Sequence, residues 1–542
     1  MTGDKRRSLH DRYPLLRNYL DRMERRRTSR GHVRTPRRFR LTGFRKAPPT
    51  GTPPTKNERY AYRRFAETEP YEPGRTESGD TGMSAWAPSG YRLRDLISRW
   101  FHIVAFHYPA RLTISIFFFL IVMITSLLLL PFATPANKST GITDAFFTAV
   151  SAVCVTGLTV VDTATHWSLF GEIVILIGIT LGGLGVMTMS SLLALVVSRR
   201  LGLTQKLLGQ SDTMGRIGET KALIWGVIIT TAVAEGFLFL MILPAFLFQG
   251  HSPADATWSA FFTAVSTFNN AGFLNVPEGL DPYIGNWFVL LPLTLGAFVG
   301  AIGFPVISDL RNNWRKPRSL SLHTKLTLSV FISLAFLSAA LVVAIEWDNL
   351  ATFGRLSLSE KILNGLLETV APRSVGISAV DVSAMKGASW LITDLSMFIG
   401  GGSGSHAGGI KVTTFAVLLL AAWAEARGRR DVQSFRRRIP HATVRQAVAV
   451  LLAGATLVLT VVVIMLIITP YTLDRVLFEV ISAFGTVGLS TGITPELPVT
   501  AKFLLAFLMI AGRVGPMTLA AALALKERRD FIRMPEERPI VG

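Results

Sequence analysis

Residues 478–492 read FEVISAFGTVGLSTG, a short amphipathic helix, then Gly-Thr-Val-Gly, then a turn. A helix of about ten residues is half of the roughly twenty needed to cross a bilayer. Apolar stretches long enough to cross flank it on both sides, at 446–469 and 503–525. The segment therefore reads as a re-entrant dip. Irregular backbone at membrane depth is tolerated only where it is buried in protein or lines a water-filled cavity. One such loop encloses nothing, so the fold turns on whether the chain holds more.

It holds three. The other connections on the same side read AFFTAVSAVCVTGLT with Gly157, AFFTAVSTFNNAGFLN with Gly272, and ILNGLLETVAPRSVGIS with Gly376. The octapeptides at 145–152 and 260–267 differ only at Ala152 against Thr267. The four glycines, closing with Gly488, are 115, 104 and 112 residues apart, a repeat of a whole helix–loop–helix unit. Composition agrees with a polytopic membrane protein: 542 residues, 49% hydrophobic and 17% charged. Eight candidate spans emerge, at 112–131, 173–198, 222–248, 286–308, 326–345, 387–420, 446–469 and 503–525.

Charge orients them. The connections after spans two, four, six and eight hold 22 Lys and Arg residues. The alternate connections hold far fewer, among them Lys138, Arg355, Lys361, Lys386, Arg475 and Lys502. This bias places both termini in the cytoplasm and the four loops on the outer side. Fifteen acidic residues share that outer side, among them Asp144, Asp255, Asp281, Glu360, Asp381 and Asp474. An acidic vestibule concentrates cations. Short helices ending toward a shared cavity turn their negative dipole ends to it. Four glycine loops can aim carbonyl oxygens at one axis, because glycine enters positive φ without steric cost. Rings of such carbonyls replace an ion's hydration shell.

The chain here resembles the pore subunits of the Trk/Ktr/HKT potassium transporters, across about 112–526. Besides the four loops, FIGGGSGSHAGGIKVTT (398–414) is similar to that family's glycine-rich interruption of the third inner helix, and AGRVGPMTL (511–519) to its arginine-bearing fourth inner helix. The resemblance implies an all-α membrane protein with four repeats in pseudo-fourfold array around one pore, closest to the eight-span KtrB-like form. It implies potassium uptake across the cytoplasmic membrane, no enzymatic activity, no bound cofactor, a homodimer, and a cytoplasmic nucleotide-binding regulatory ring of the KtrA/TrkA kind. A sodium-permeable or sodium-coupled transporter of the same architecture is the alternative. His406 stands where the family usually has a small hydroxyl residue.

The expected filter residues are Thr156, Gly157, Ala271, Gly272, Val375, Gly376, Val487 and Gly488, with K+ held only there. The expected gate is Gly400, Gly401, Gly402, Gly404, His406, Gly408, Gly409 and Lys411, with Arg513. Six glycines within 400–409 cannot hold a helix. The same stretch contains Gly-x-Gly-x-x-Ala at Gly402, Gly404 and Ala407, but a dinucleotide fingerprint needs a preceding strand. Arg513 has two readings: paired to a carboxylate or to carbonyls, or a barrier to cations in the pore. An open histidine titrates near neutrality, so acid favours a closed loop if His406 is solvated, while burial keeps it neutral. Glu235, alone in the third span, reads as a packing hydrogen-bond partner.

The organisation expected is a basic, mostly disordered tail (1–111), repeats at 112–221, 222–325, 326–445 and 446–526, and a C-terminal tail (527–542). The first tail carries 25 basic and 11 acidic residues, suited to anionic lipid or a partner; no folded basic module suggests nucleic acid. Nine histidines and the single Cys154 form no metal or nucleophile pattern.

Overall fold

The computed structural model describes residues 109–135, 139–201, 213–248, 252–373 and 375–525. The expected disordered tail before residue 109 and the C-terminal tail lie outside the described residues. What is described is helical save for a two-stranded hairpin, β1 (Gln433–Ser434) with β2 (Arg437–Arg438), and one isolated bridge.

Four units follow one another, each an outer helix, a short helix and an inner helix. The first is α1 (Pro109–Leu128), α2 (Ile142–Val153) and α3 (Leu169–Leu201). The second is α4 (Thr213–Phe248), α5 (Pro253–Phe268), and an inner pair α6 (Trp287–Ile302) and α7 (Phe304–Asn313). The third is α8 (Leu322–Glu346), α9 (Leu358–Leu367), and an inner pair α10 (Gly387–Phe398) and α11 (Val412–Ala426). The fourth is α12 (His441–Ile468), α13 (Leu473–Gly485) and α14 (Val499–Leu525).

The short helices α2, α5, α9 and α13 start as their sequences direct. Each has an acidic residue in its first turn: Asp144, Asp255, Glu360 and Asp474. Negative charge there complements the helix dipole. Ser252 caps α5, and Ser357 with Glu360 forms a capping box on α9. Each buries an apolar face, with Phe147, Phe262 and Phe478 all but completely covered. The outer helices instead expose large apolar side chains, Phe118 at 68% and Phe237 at 61%. That is the surface a hydrocarbon solvent requires, and it makes the chain an integral membrane protein.

By length and composition, 169–188, 224–248, 322–346 and 441–468 are each long and apolar enough to cross a membrane as one helix. Two expected spans do not run straight. The span expected over 286–308 bends by 96° between α6 and α7. Gly303 makes that bend with φ +91°, and a side chain there would lie 2.9 Å from the backbone of Gly404. The span expected over 387–420 divides into α10 and α11 around its glycine-rich stretch.

The units close into a ring, because each inner segment leans on the short helix of the next unit. From α3, Glu172 accepts hydrogen bonds from Trp258 of α5 and from Asn275, the latter at 3.2 Å. Trp287 of α6 donates to Ser359 of α9 at 3.1 Å. Helix α10 packs on α13. Lys502 of α14 pairs with Asp144 of α2 at 3.2 Å, which returns the ring to its start.

Candidate functional site

Each short helix ends in a tight reversal. The residue before the glycine turns its N–H back to the helix: Thr156 to Ser151 O at 2.8 Å, Ala271 to Ser266 O at 2.8 Å, Val487 to Ser482 O at 2.9 Å. The Ser151 and Ser482 hydroxyls accept from the N–H groups of Gly157 and Gly488, both at 3.1 Å. All four glycines take positive φ, from 62° at Gly376 to 102° at Gly488. Two positions earlier the backbone is again left-handed, at Val155 (φ 54°), Asn270 (φ 57°) and Thr486 (φ 48°). Left-handed residues thus flank Thr156, Ala271 and Val487, the alternation that turns successive carbonyls the same way.

The third unit departs from this register. Helix α9 gives way to a short 3-10 turn at Ala371–Arg373 containing Pro372, and it is the N–H of Gly376 that returns to Ala371 O, at 3.0 Å. A proline has no N–H to continue a helix, which is why this loop alone is built differently.

The four glycines meet one another in sequence. A methyl group built on Gly157 would lie 2.3 Å from the Ala271 carbonyl oxygen. From Gly272 it would lie 2.5 Å from Val375 O, from Gly376 2.0 Å from Val487 O, and from Gly488 2.3 Å from Thr156 O. The contacts run one to two, two to three, three to four and four back to one. All eight expected filter residues are brought into this closed ring.

Glycines on the inner helices permit the short helices to end so close together. Side chains at Gly182, Gly300 and Gly512 would approach within 2.0, 2.1 and 1.8 Å of the carbonyls of Val153, Phe268 and Phe484. Glu235 donates nothing to this surface; it accepts a 2.7 Å hydrogen bond from Asn269, the C-cap of α5, as a packing partner does.

The stretch 400–409 lies directly against the start of the ring. Gly408 abuts Thr486, where a side chain would lie 2.1 Å from its hydroxyl, and His406 packs edge-on against Phe268 with centroids 5.6 Å apart. The His406 ring also borders Gly183 of α3, and it is fully buried. Backbone bonds hold the stretch to two inner helices, Gly402 N to Ala301 O at 2.8 Å and Gly409 N to Gly512 O at 3.3 Å. The bend at Gly303 belongs to the same contact, since Phe304 N reaches Gly404 O at 3.3 Å.

Three cationic side chains donate to carbonyls in or beside this loop. Arg513, buried at 4% exposure, donates to His406 O, and Lys411 to Ala407 O. Arg373, 1% exposed, donates to Ile399 O at 3.0 Å and lies over the Phe331 ring. The contact that Arg513 makes is to a carbonyl oxygen. Arg373 was not among the expected residues, although it is a seventh basic residue in the outer connections. A charge two residues before a filter pair, inside an apolar loop, was the available signal.

Outside the membrane segments, Asp281 has its carboxyl pushed above the usual range, by partial desolvation first and then by neighbouring Asp381 and Glu278. These acids lie close enough to feel one another, as an anionic rim does. Among the described residues, no group of three or more His, Cys, Asp or Glu side chains is placed to hold a metal ion.

A family described as "TrkH: Cation transport protein" matches residues 100–533. The chain belongs to this family. It is 36% identical over 454 residues to the Ktr system potassium uptake protein B of Bacillus subtilis, covering 83% of this chain and 99% of that one. It is 33% identical over 447 residues to the potassium/sodium uptake protein NtpJ of Enterococcus hirae, covering 80% and 97%. In fold it is similar to the crystal structure of the potassium transporter TrkH from Vibrio parahaemolyticus, with TM-score 0.58 and 19% identity over 74% of this chain and 83% of that one. The chain is thus a multi-pass member of a cation transport family and not an enzyme.

Proposed function

We propose that the protein takes up potassium through the ring of Gly157, Gly272, Gly376 and Gly488, and that the stretch 400–409 gates it. The observation that carries this reading is the cyclic approach of each glycine to the preceding residue's carbonyl in the next loop. Carbonyl oxygens from Thr156, Ala271, Val375 and Val487 then replace the ion's hydration shell. The acidic first turns leave the opposite, negative helix ends toward the ion.

The gate reading rests on the loop's position against Thr486 and Phe268, and on its clamping by Arg373, Lys411 and Arg513. While clamped, the loop blocks the path and Arg513 sets a positive charge beside it. We further propose the eight-span arrangement with both termini cytoplasmic, a homodimer in contact with membrane lipid, and regulation by a cytoplasmic nucleotide-binding ring. The Enterococcus relative, by its name, takes up sodium as well. Rubidium uptake by the purified protein in liposomes, with sodium and lithium as competitors, separates the two ions. Inhibition by unlabelled potassium but not by excess sodium supports the proposal. Equal inhibition by sodium replaces it with the sodium-permeable alternative.

A further inference from the structure

We propose that the tip of the β1–β2 hairpin, Phe435 with Arg436, is the docking element through which an acidic protein partner moves the gate. This rests on the reading of 400–409 as the gate. Among the described residues only five non-glycine residues have positive φ. Three of them, Val155, Asn270 and Thr486, shape the filter loops. The other two are Phe435 (φ 47°) and Arg436 (φ 62°), side by side at the hairpin tip.

The register pairs Gln433 with Arg438 and Ser434 with Arg437, which leaves a two-residue turn. Such a turn needs positive φ at both positions, and Asn-Gly is the pair that meets this without strain. Phenylalanine and arginine are poor choices for folding, and strain of this kind collects at functional sites. Here it holds an aromatic ring in solvent, 49% exposed, beside a guanidinium.

The base of the hairpin is rigid. Arg438 pairs with Asp431 at 2.8 Å, and Ile439 N donates to Val432 O at 2.8 Å. Val432 and Ile439 are buried with Leu326, Ala416, Ala424 and Ala447, which belong to α8, α11 and α12. Helix α11 is 15 residues long and begins immediately after Lys411, whose side chain holds Ala407 O. A pull on the tip therefore reaches the loop through one helix.

The partner follows from the surface. Arg429, Arg430, Arg436, Arg437 and Arg438 are exposed around the ring, so the complement is acidic with one apolar recess. A fixed, strained turn suits a structured protein surface; a fluid headgroup layer imposes no such geometry.

The test replaces the tip by the favourable pair, F435N/R436G, with F435A as a second variant that keeps the arginine. The probe is a purified nucleotide-binding ring protein of a Ktr system, titrated onto the full-length protein in neutral and in anionic lipid nanodiscs. The double variant is expected to melt no lower than the parent and to show the parent's ring-free rubidium flux. It should bind the ring at least about tenfold more weakly in both lipids, with F435A intermediate. Ring affinity within about twofold of the parent overturns the proposal, and F435A alone decides it if the double variant does not fold. A parent that binds no ring, or a loss confined to anionic lipid, overturns it too. Shortening the 400–409 loop tests the gate separately: if that opens the pore while the tip variants bind normally, only the docking site is wrong.

Discussion

Gly488 shows how much one hydrogen atom decides. Its φ of 102° is closed to other residues, and any side chain would meet Thr156 O at 2.3 Å. Serine at Gly488, or at Gly157, Gly272 or Gly376, must push a neighbouring carbonyl off the axis. Each such variant is expected to express and fold, and to lose discrimination between potassium and sodium in competition assays of rubidium uptake. Unchanged selectivity in all four would remove the filter assignment. The two arginines make the complementary case. R373Q and R513Q each remove a hydrogen bond from a charged donor, worth about 1.5–3 kcal/mol in a buried setting. If the clamped loop is the closed state, basal flux should rise by roughly tenfold or more for each. Failure of both variants to fold would instead assign the arginines to structure. Residues of this kind divide sharply in legibility. The glycines were readable because only glycine explains their recurrence. Val155 gave no sign of a left-handed backbone, since a β-branched residue is the last expected there; tertiary packing overrides its preference. The serines at 151 and 482 are ordinary in a helix, and only their hydroxyl contacts reveal them as clasps.

Helices and loops were legible where hydropathy alone defines them. The short helices α2, α5, α9 and α13 were visible as half-length apolar runs, and the break between α10 and α11 as a cluster of glycines. The bend at Gly303 was not, because one glycine inside an apolar run has many uses; here it makes room for Gly404. The third loop's separate register, set by Pro372, shows the same limit. At this scale the expectation concerns the loop itself. A variant lacking four residues of 401–409 no longer spans from α6 to α14, so it should conduct faster without a regulator and keep its selectivity. Stopped-flow flux into liposomes measures both. A folded, selective variant that conducts no faster than the parent places the gate elsewhere.

As a whole molecule, the protein on the proposed reading sets a negative rim before a ring of carbonyls and basic loops behind it. Asp281, its carboxyl raised by desolvation and by Asp381 and Glu278, takes up a proton at a higher pH than a free aspartate does as the outer solution is acidified. Uptake at low potassium should therefore decline as outer pH falls through the carboxylate range, less so in D281N/D381N. That variant should need more potassium for half-maximal uptake at low ionic strength, with an unchanged maximal rate; the difference should shrink in high salt, which screens exposed charges. An effect on maximal rate would place these acids in the path. The central claim is that four loops from one chain bind one ion between them, and rubidium reports it directly through anomalous scattering from crystals grown in its salt. The account expects a peak on the axis within direct coordination distance of the carbonyl oxygens of Thr156, Ala271, Val375 and Val487. A fully substituted crystal with no peak there, or with its peak at another site, contradicts it.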